Sequence, residues 1–134
     1  MKITIRLILA LFLFCFLQAC SPLITRTIVK AYPPLNETEE VQVIALGDES
    51  AYQYEELGTV RVGDNGFGGK CKYDDQILHA KREAKKMGGN IIKVVEHIPP
   101  HSKMIGLGYA YFPCHEILVL VLRHKNSSKI DRTE

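Results

Sequence analysis

Residues 73–89 read YDDQILHAKREAKKMGG, and this stretch decides the fold. Apolar or small side chains recur along it at helical spacing, at Tyr73, Ile77, Ala80, Ala84 and Met87. Such a stripe predicts an amphipathic helix with one face turned to a second layer. Asp74 and Asp75 at its start can cap exposed N–H groups and favour the helix dipole. Gly88 and Gly89 after it can supply a left-handed C-cap.

Apolar runs on both sides of this helix predict the strands of a sheet. IIKVVEH at 91–97 follows it directly, and HEILVLVLR at 115–123 is apolar enough to predict a central strand with both faces covered. Before the helix, 41–46 and 54–62 are β-branched or alternating runs that end in turn residues. The order is therefore ββαββ. It predicts an α+β two-layer sandwich, with one helix on a small mixed or antiparallel sheet.

The first twenty residues have the pattern of a bacterial lipoprotein signal. Two positive charges precede an apolar run at 7–17, which is shorter than the roughly 20 residues of a membrane-spanning helix. LQAC at 17–20 resembles a lipobox, so a signal peptide at 1–19 and acylation of Cys20 are predicted. Ser21, rather than an aspartate, after the cysteine indicates the outer membrane, and the lack of an acidic run behind it favours the periplasmic face. An uncleaved signal anchor is the competing interpretation.

The mature chain is neutral and has the length of one domain. Removal of residues 1–19 leaves 15 basic and 15 acidic residues, so the charge gives no sign of a nucleic-acid partner. About 115 residues remain, too few for two ordinary domains. Three prolines predict that 20–40 is a lipidated N-terminus and tether, part of which can pack on the domain. The α+β domain is then expected at 41–124 and a polar tail at 125–134.

Cys71 lies between two lysines just ahead of the helix, and three interpretations compete for it. As a nucleophile its thiolate would be favoured by the lysines and the helix start, but no orienting base or nearby second cysteine accompanies it. As a disulfide partner it would join Cys114. Once Cys15 leaves with the signal and Cys20 carries lipid, these two remain in an oxidising compartment. The compartment favours the disulfide.

The third interpretation is a metal site. His97 and His101 stand in an H-x3-H spacing, and with Cys71 and Cys114 they offer the nitrogen and sulfur ligands that zinc takes tetrahedrally. No cysteine pair has metal-site spacing, and two prolines stiffen the segment between the histidines. GFGGK at 66–70 lacks the residues of a phosphate loop, and no catalytic motif occurs. Neither a cofactor nor an enzymatic activity is expected.

The order of these features resembles a family of small bacterial envelope lipoproteins, the one that includes the outer-membrane sensor of the Rcs phosphorelay (the RcsF-like lipoproteins). The shared elements are the lipobox, a proline-bearing tether, a cysteine ahead of an alanine-rich helix, a Met-Gly-x-Asn turn and a late cysteine. The resemblance covers 57–122. It implies a signalling role for a lipid-anchored protein. That sensor has two disulfides in this domain, whereas the mature chain has cysteines for one.

The segment at 98–113 is the candidate partner surface. It carries many apolar and aromatic side chains, and Tyr109, Tyr111 and Phe112 are expected to be exposed in part on a loop pinned by the disulfide. The competing interpretation is that they cover the end of the sheet. We therefore expect a non-enzymatic envelope lipoprotein that binds a protein partner. The alternative is a small-ligand or metal-binding module that uses His97 and His101.

Overall fold

The computed structural model describes residues 22–49, 53–63 and 71–124. The predicted signal peptide, the predicted lipidation site at Cys20 and the predicted polar tail lie outside these residues. Within the described ranges, no helix combines the length and the apolar character needed to cross a membrane.

The described residues form an α+β fold, as the sequence predicts, with most of the chain in strands. The elements are β1 (Leu23–Ile28), β2 (Gln42–Ile44), β3 (Tyr54–Gly63), α1 (Tyr73–Lys86), β4 (Ile91–Ile98), β5 (His101–Ile105), β6 (Gly108–Phe112) and β7 (Glu116–His124). Five strands make one sheet in the order β1-β3-β7-β4-β2, and β5 and β6 make a separate two-stranded sheet. The large sheet is mixed, because β2 pairs with β4 in parallel and the other neighbours are antiparallel.

The order along the chain differs from the predicted ββαββ by three strands. β1 lies inside the segment 20–40 that the sequence assigns to a tether, and it pairs with β3 over its whole length. β5 and β6 lie inside the segment predicted as a loop. The prolines that suggested a tether flank β1 without interrupting it, so Leu23–Ile28 can still pair as a strand. The folded unit therefore begins near residue 23, not at residue 41.

The core lies between α1 and one face of the large sheet. On the sheet side, the core consists of buried side chains from β3, β4 and β7: Leu57, Val60, Val62, Ile92, Val94, Ile117, Val119 and Val121. On the helix side, Ala80, Ala84 and Met87 meet them, which confirms the predicted stripe. The central position of β7 is also confirmed. Its second face is only half-covered, because Leu118 and Leu120 there are half-buried.

The two ends of α1 differ in how their backbone groups are satisfied. At the N-terminus, Lys72 is the N-cap and makes no side-chain capping bond within the described residues, so the predicted capping by acidic residues is not seen. At the C-terminus, the Gly88 N–H donates to Lys85 at 3.0 Å and the Gly89 N–H to Ala84 at 2.9 Å. This pair of bonds, with Gly88 at a φ of +78°, is a Schellman motif and confirms the predicted glycine cap.

Residues 29–40, here called the N-terminal wrap, pass over the C-terminal end of α1. The Tyr32 N–H donates to the Met87 carbonyl at 3.1 Å, and the Leu35 N–H donates to the Lys85 carbonyl at 3.0 Å. Lys85 in turn donates from Nζ to the Glu37 carbonyl at 2.6 Å. The wrap thus supplies donors to helix carbonyls that have no partner within the helix. It belongs to the fold rather than to a tether.

Candidate functional site

Strands β5 and β6 form a hairpin, residues 101–112, that pairs only with itself in the described part of the chain. Its turn consists of Gly106 and Leu107, and Gly106 has a φ of +61°. A two-residue turn with glycine at a positive φ in its first position matches the twist of antiparallel strands. The sequence GLG therefore selects a tight hairpin over an irregular loop.

The hairpin exposes large apolar side chains to an unusual degree. The exposed fractions are Met104 60%, Ile105 57%, Leu107 110%, Tyr109 77% and Tyr111 67%. The predicted exposure of Tyr109 and Tyr111 is confirmed, and the competing interpretation that they cover the end of the sheet is wrong. Phe112 differs from them, since it is half-buried and stacks on His101 with ring centroids 5.2 Å apart. It belongs to the base of the hairpin.

Met104 and Tyr109 face each other across the two strands, as do Ser102 and Tyr111. Because directly paired residues point to the same side of a hairpin, these four side chains share one face. Leu107 lies in the turn that joins the two strands and is fully exposed. We call Met104, Leu107, Tyr109 and Tyr111 the hairpin surface.

The Cys71–Cys114 disulfide lies at the base of the hairpin. The two Cα atoms are 4.9 Å apart, within the expected bonding range, and the predicted pairing is confirmed. The His115 N–H also donates to the Cys71 carbonyl at 3.0 Å, so the bridge is supported by a backbone bond next to it. Because each sulfur is bonded to the other, neither cysteine can act as a nucleophile or a metal ligand in this state.

A pair of hydrogen-bonded histidines connects the strand that precedes the hairpin with the segment that follows it. His97, near the end of β4, places Nε2 at 2.8 Å from Nδ1 of His115, which precedes β7. The two rings are nearly parallel, with centroids 5.1 Å apart, and the Tyr73 ring lies 4.7 Å from that of His97. One imidazole donates and the other accepts, so the bond fixes complementary tautomers.

The geometry does not gather the metal ligands that the sequence suggested. His97 is hydrogen-bonded to His115, whereas Nδ1 of His101 lies 3.1 Å from the Pro99 carbonyl. Among the described residues, no three histidine, cysteine, aspartate or glutamate side chains converge as a metal site would require.

The sequence pattern did not predict that two polar residues of α1 are buried. Gln76 is fully buried and donates from Nε2 to the His115 carbonyl at 2.8 Å, while its Oε1 has no partner in the described residues. Glu83 is 6% exposed and accepts from Arg26 at 3.0 Å and Lys86 at 2.6 Å. The available signal was their spacing, because each follows a member of the apolar stripe by three residues: Gln76 follows Tyr73, and Glu83 follows Ala80.

The candidate site thus consists of the exposed hairpin surface and of a hairpin base that the Cys71–Cys114 disulfide holds. The arrangement suits recognition of another molecule by surface contact. Comparison with protein-family models, with curated proteins and with solved structures finds no match to this chain.

Proposed function

We propose that the chain is a non-enzymatic lipoprotein of the bacterial envelope, anchored through Cys20, whose hairpin surface binds an envelope protein in sensing or maintaining the envelope. The observation that carries the proposal is the exposure of Met104, Leu107, Tyr109 and Tyr111 on one small hairpin. Contiguous apolar surface of this kind marks interaction sites in soluble domains. Tyrosine and methionine are also enriched in protein interfaces.

The unpaired backbone of the hairpin favours a protein over the interior of a lipid bilayer as the bound molecule. Neither outer edge of β5 or β6 pairs with another strand in the described part of the chain. Open edges are not tolerated in hydrocarbon, because their N–H and C=O groups would stay unsatisfied. A protein can satisfy them by adding a strand while its pockets receive the apolar side chains.

The envelope address is supported by the lipobox at 17–20 and by the disulfide, which forms in oxidising compartments. Mass spectrometry of the mature protein tests the anchor. The expected N-terminus is an acylated Cys20. A mature chain that starts elsewhere without lipid would contradict this part of the proposal.

The binding role is tested by site-specific photocrosslinking in intact cells, with a photoreactive residue at position 109. A matched control carries it at position 78, because Leu78 is also an exposed apolar residue, 48% exposed, but lies on α1. The expected result is one discrete protein adduct from position 109 and no such adduct from position 78. The same adduct should disappear when Leu107→Asp is added. Equal products from both positions, or none from 109, would contradict the proposal.

A further inference from the structure

A groove runs between the start of β1, the N-terminal wrap and the C-terminal half of α1. Its volume is about 430 Å³, which is within the range of small-ligand sites. Pro22, Ile24 and Leu35 form apolar parts of its wall, and Arg82, Lys85 and Lys86 bring three cations to it. We call it the β1–α1 groove.

The cations of the groove outweigh its acidic groups, because Arg82, Lys85 and Lys86 line it together with only two carboxylates, Glu37 and Glu83. Glu83 is nearly buried and is already shared between Arg26 and Lys86, so its charge is largely compensated. Lys86 nevertheless keeps 62% of its side chain exposed. Arg82 is exposed and makes neither a hydrogen bond nor an ion pair within the described residues. The groove therefore presents an uncompensated guanidinium beside an exposed ammonium, a pair that suits a phosphate group.

The groove is lined by a residue close in sequence to the predicted lipidation site, which indicates a membrane lipid as the source of the phosphate. Pro22 lines the groove, and Cys20 is two residues before it. Two residues can span at most about 7 Å. If Cys20 carries the lipid, as the proposed function requires, the acyl chains start close to the groove. The groove then lies in the layer of lipid headgroups.

We infer that the β1–α1 groove binds the phosphate of an anionic phospholipid headgroup in the membrane that holds Cys20. Arg82 supplies paired N–H donors to the phosphate oxygens, and Lys86 supplies a second charge. Pro22 and Ile24 meet the less polar glycerol region. The lipid anchor and the groove together orient the domain on the membrane, because two points of attachment restrict rotation more than one.

Sedimentation with vesicles tests this inference without the anchor. The probe is the mature chain, residues 20–134, with Cys20→Ser, which keeps every residue that the structure describes. It is mixed with vesicles of phosphatidylcholine alone or of equal parts phosphatidylcholine and phosphatidylglycerol. Binding is expected only to the anionic vesicles and should weaken as salt rises. Equal binding to both kinds of vesicle, or to neither, would overturn the inference.

A charge reversal at Arg82 locates the binding. Arg82→Glu should reduce the partition coefficient on anionic vesicles by about tenfold or more, because it removes one cation and adds an anion next to the membrane. Lys72→Glu makes the same change on an exposed lysine at the other end of α1 and serves as the control. Thermal unfolding confirms that both variants fold. Equal losses from both reversals would show nonspecific charge attraction and reject the groove.

The outcomes separate this inference from the proposed function. Vesicle binding that fails while Cys20 proves acylated removes the headgroup site and leaves the anchored, protein-binding lipoprotein intact. Vesicle binding that depends on Arg82 while Cys20 proves unmodified keeps the headgroup site and removes the anchor.

Discussion

The guanidinium of Arg123 on β7 lies 4.4 Å from the ring centroid of Tyr32 in the N-terminal wrap. Arg123 also donates to the Gly88 carbonyl at 3.0 Å, and the Tyr32 hydroxyl donates to Glu55 at 2.7 Å. The ammonium of Lys30 lies 5.0 Å from the same ring centroid, and hydrogen bonds to Glu55 and then to Tyr32 raise its pKa above the ordinary lysine value. One aromatic ring thus joins the wrap, the helix end and the sheet.

Replacement of Tyr32 measures what this junction contributes to stability. Tyr32→Ala removes the ring and the hydroxyl, and we expect the free energy of unfolding to fall by about 2 kcal/mol, less than for a fully buried aromatic residue. Tyr32→Phe removes only the hydroxyl bond to Glu55, and a fall of about 1 kcal/mol is expected. Urea denaturation measures both. Equal losses in the two variants would show that the ring contacts contribute nothing.

The disulfide is expected to contribute a large share of the stability of this small domain. Removal of both sulfurs by Cys71→Ala with Cys114→Ala should lower the free energy of unfolding by about 2–4 kcal/mol, because the unfolded chain gains freedom. Denaturation with and without a reductant provides the control. The reductant should destabilise the natural chain and leave the double variant unchanged; a variant that still responds would contradict the prediction.

Gly58 occupies a position that no other residue fits. Its φ is +149°, and an added Cβ would lie 2.0 Å from the Thr27 carbonyl oxygen on β1. Gly58→Ala is therefore expected to cost about 2 kcal/mol or more, since β1 must shift away from β3. Gly108→Ala is the matched control, because nothing lies within 4 Å of its added Cβ, and it should change stability by less than about 0.5 kcal/mol. Similar melting temperatures for the two variants would disprove the close approach.

Truncation of a leucine to alanine should lower the free energy of unfolding strongly in the core and hardly at all on the hairpin. Leu57 is fully buried, so Leu57→Ala should lower the free energy of unfolding by about 2–5 kcal/mol. Leu107 is fully exposed at the hairpin tip, so Leu107→Ala should leave stability within about 0.5 kcal/mol of the natural chain. Thermal unfolding compares them. Substantial destabilisation by Leu107→Ala would mean that the tip packs on the domain.

The helix and the central strand could be predicted because their signals are local. The stripe from Tyr73 to Met87 repeats at the helical period, and 117–122 is continuously apolar. β1 could not be predicted so well, because a strand of six residues that follows Pro22 directly gives little periodicity. What fixes β1 is contact with residues far along the chain: its pairing with β3 and the ion pair from Arg26 to Glu83.

The partner of His97 was also beyond local inference. The H-x3-H spacing drew attention to His101, but the structure pairs His97 with His115. A bulge between Val94 and Glu96 shifts the register of β4 against β7. Since side chains alternate along a strand, one extra residue reverses the face on which the following residues lie. His97 therefore lies on the helix side, where it meets Tyr73. No pattern in the sequence predicts this bulge.

The bridge between Cys71 and Cys114 encloses α1, β4 and the whole hairpin in one covalent ring. A partner that pulls on the hairpin therefore loads this ring. Cys114 lies between β6 and β7, so force transmitted along β6 reaches Cys114 before β7. At Cys114 the force would divide between β7 and, through the disulfide, the start of α1. A force applied to the hairpin would therefore not be carried at this end by β7 alone.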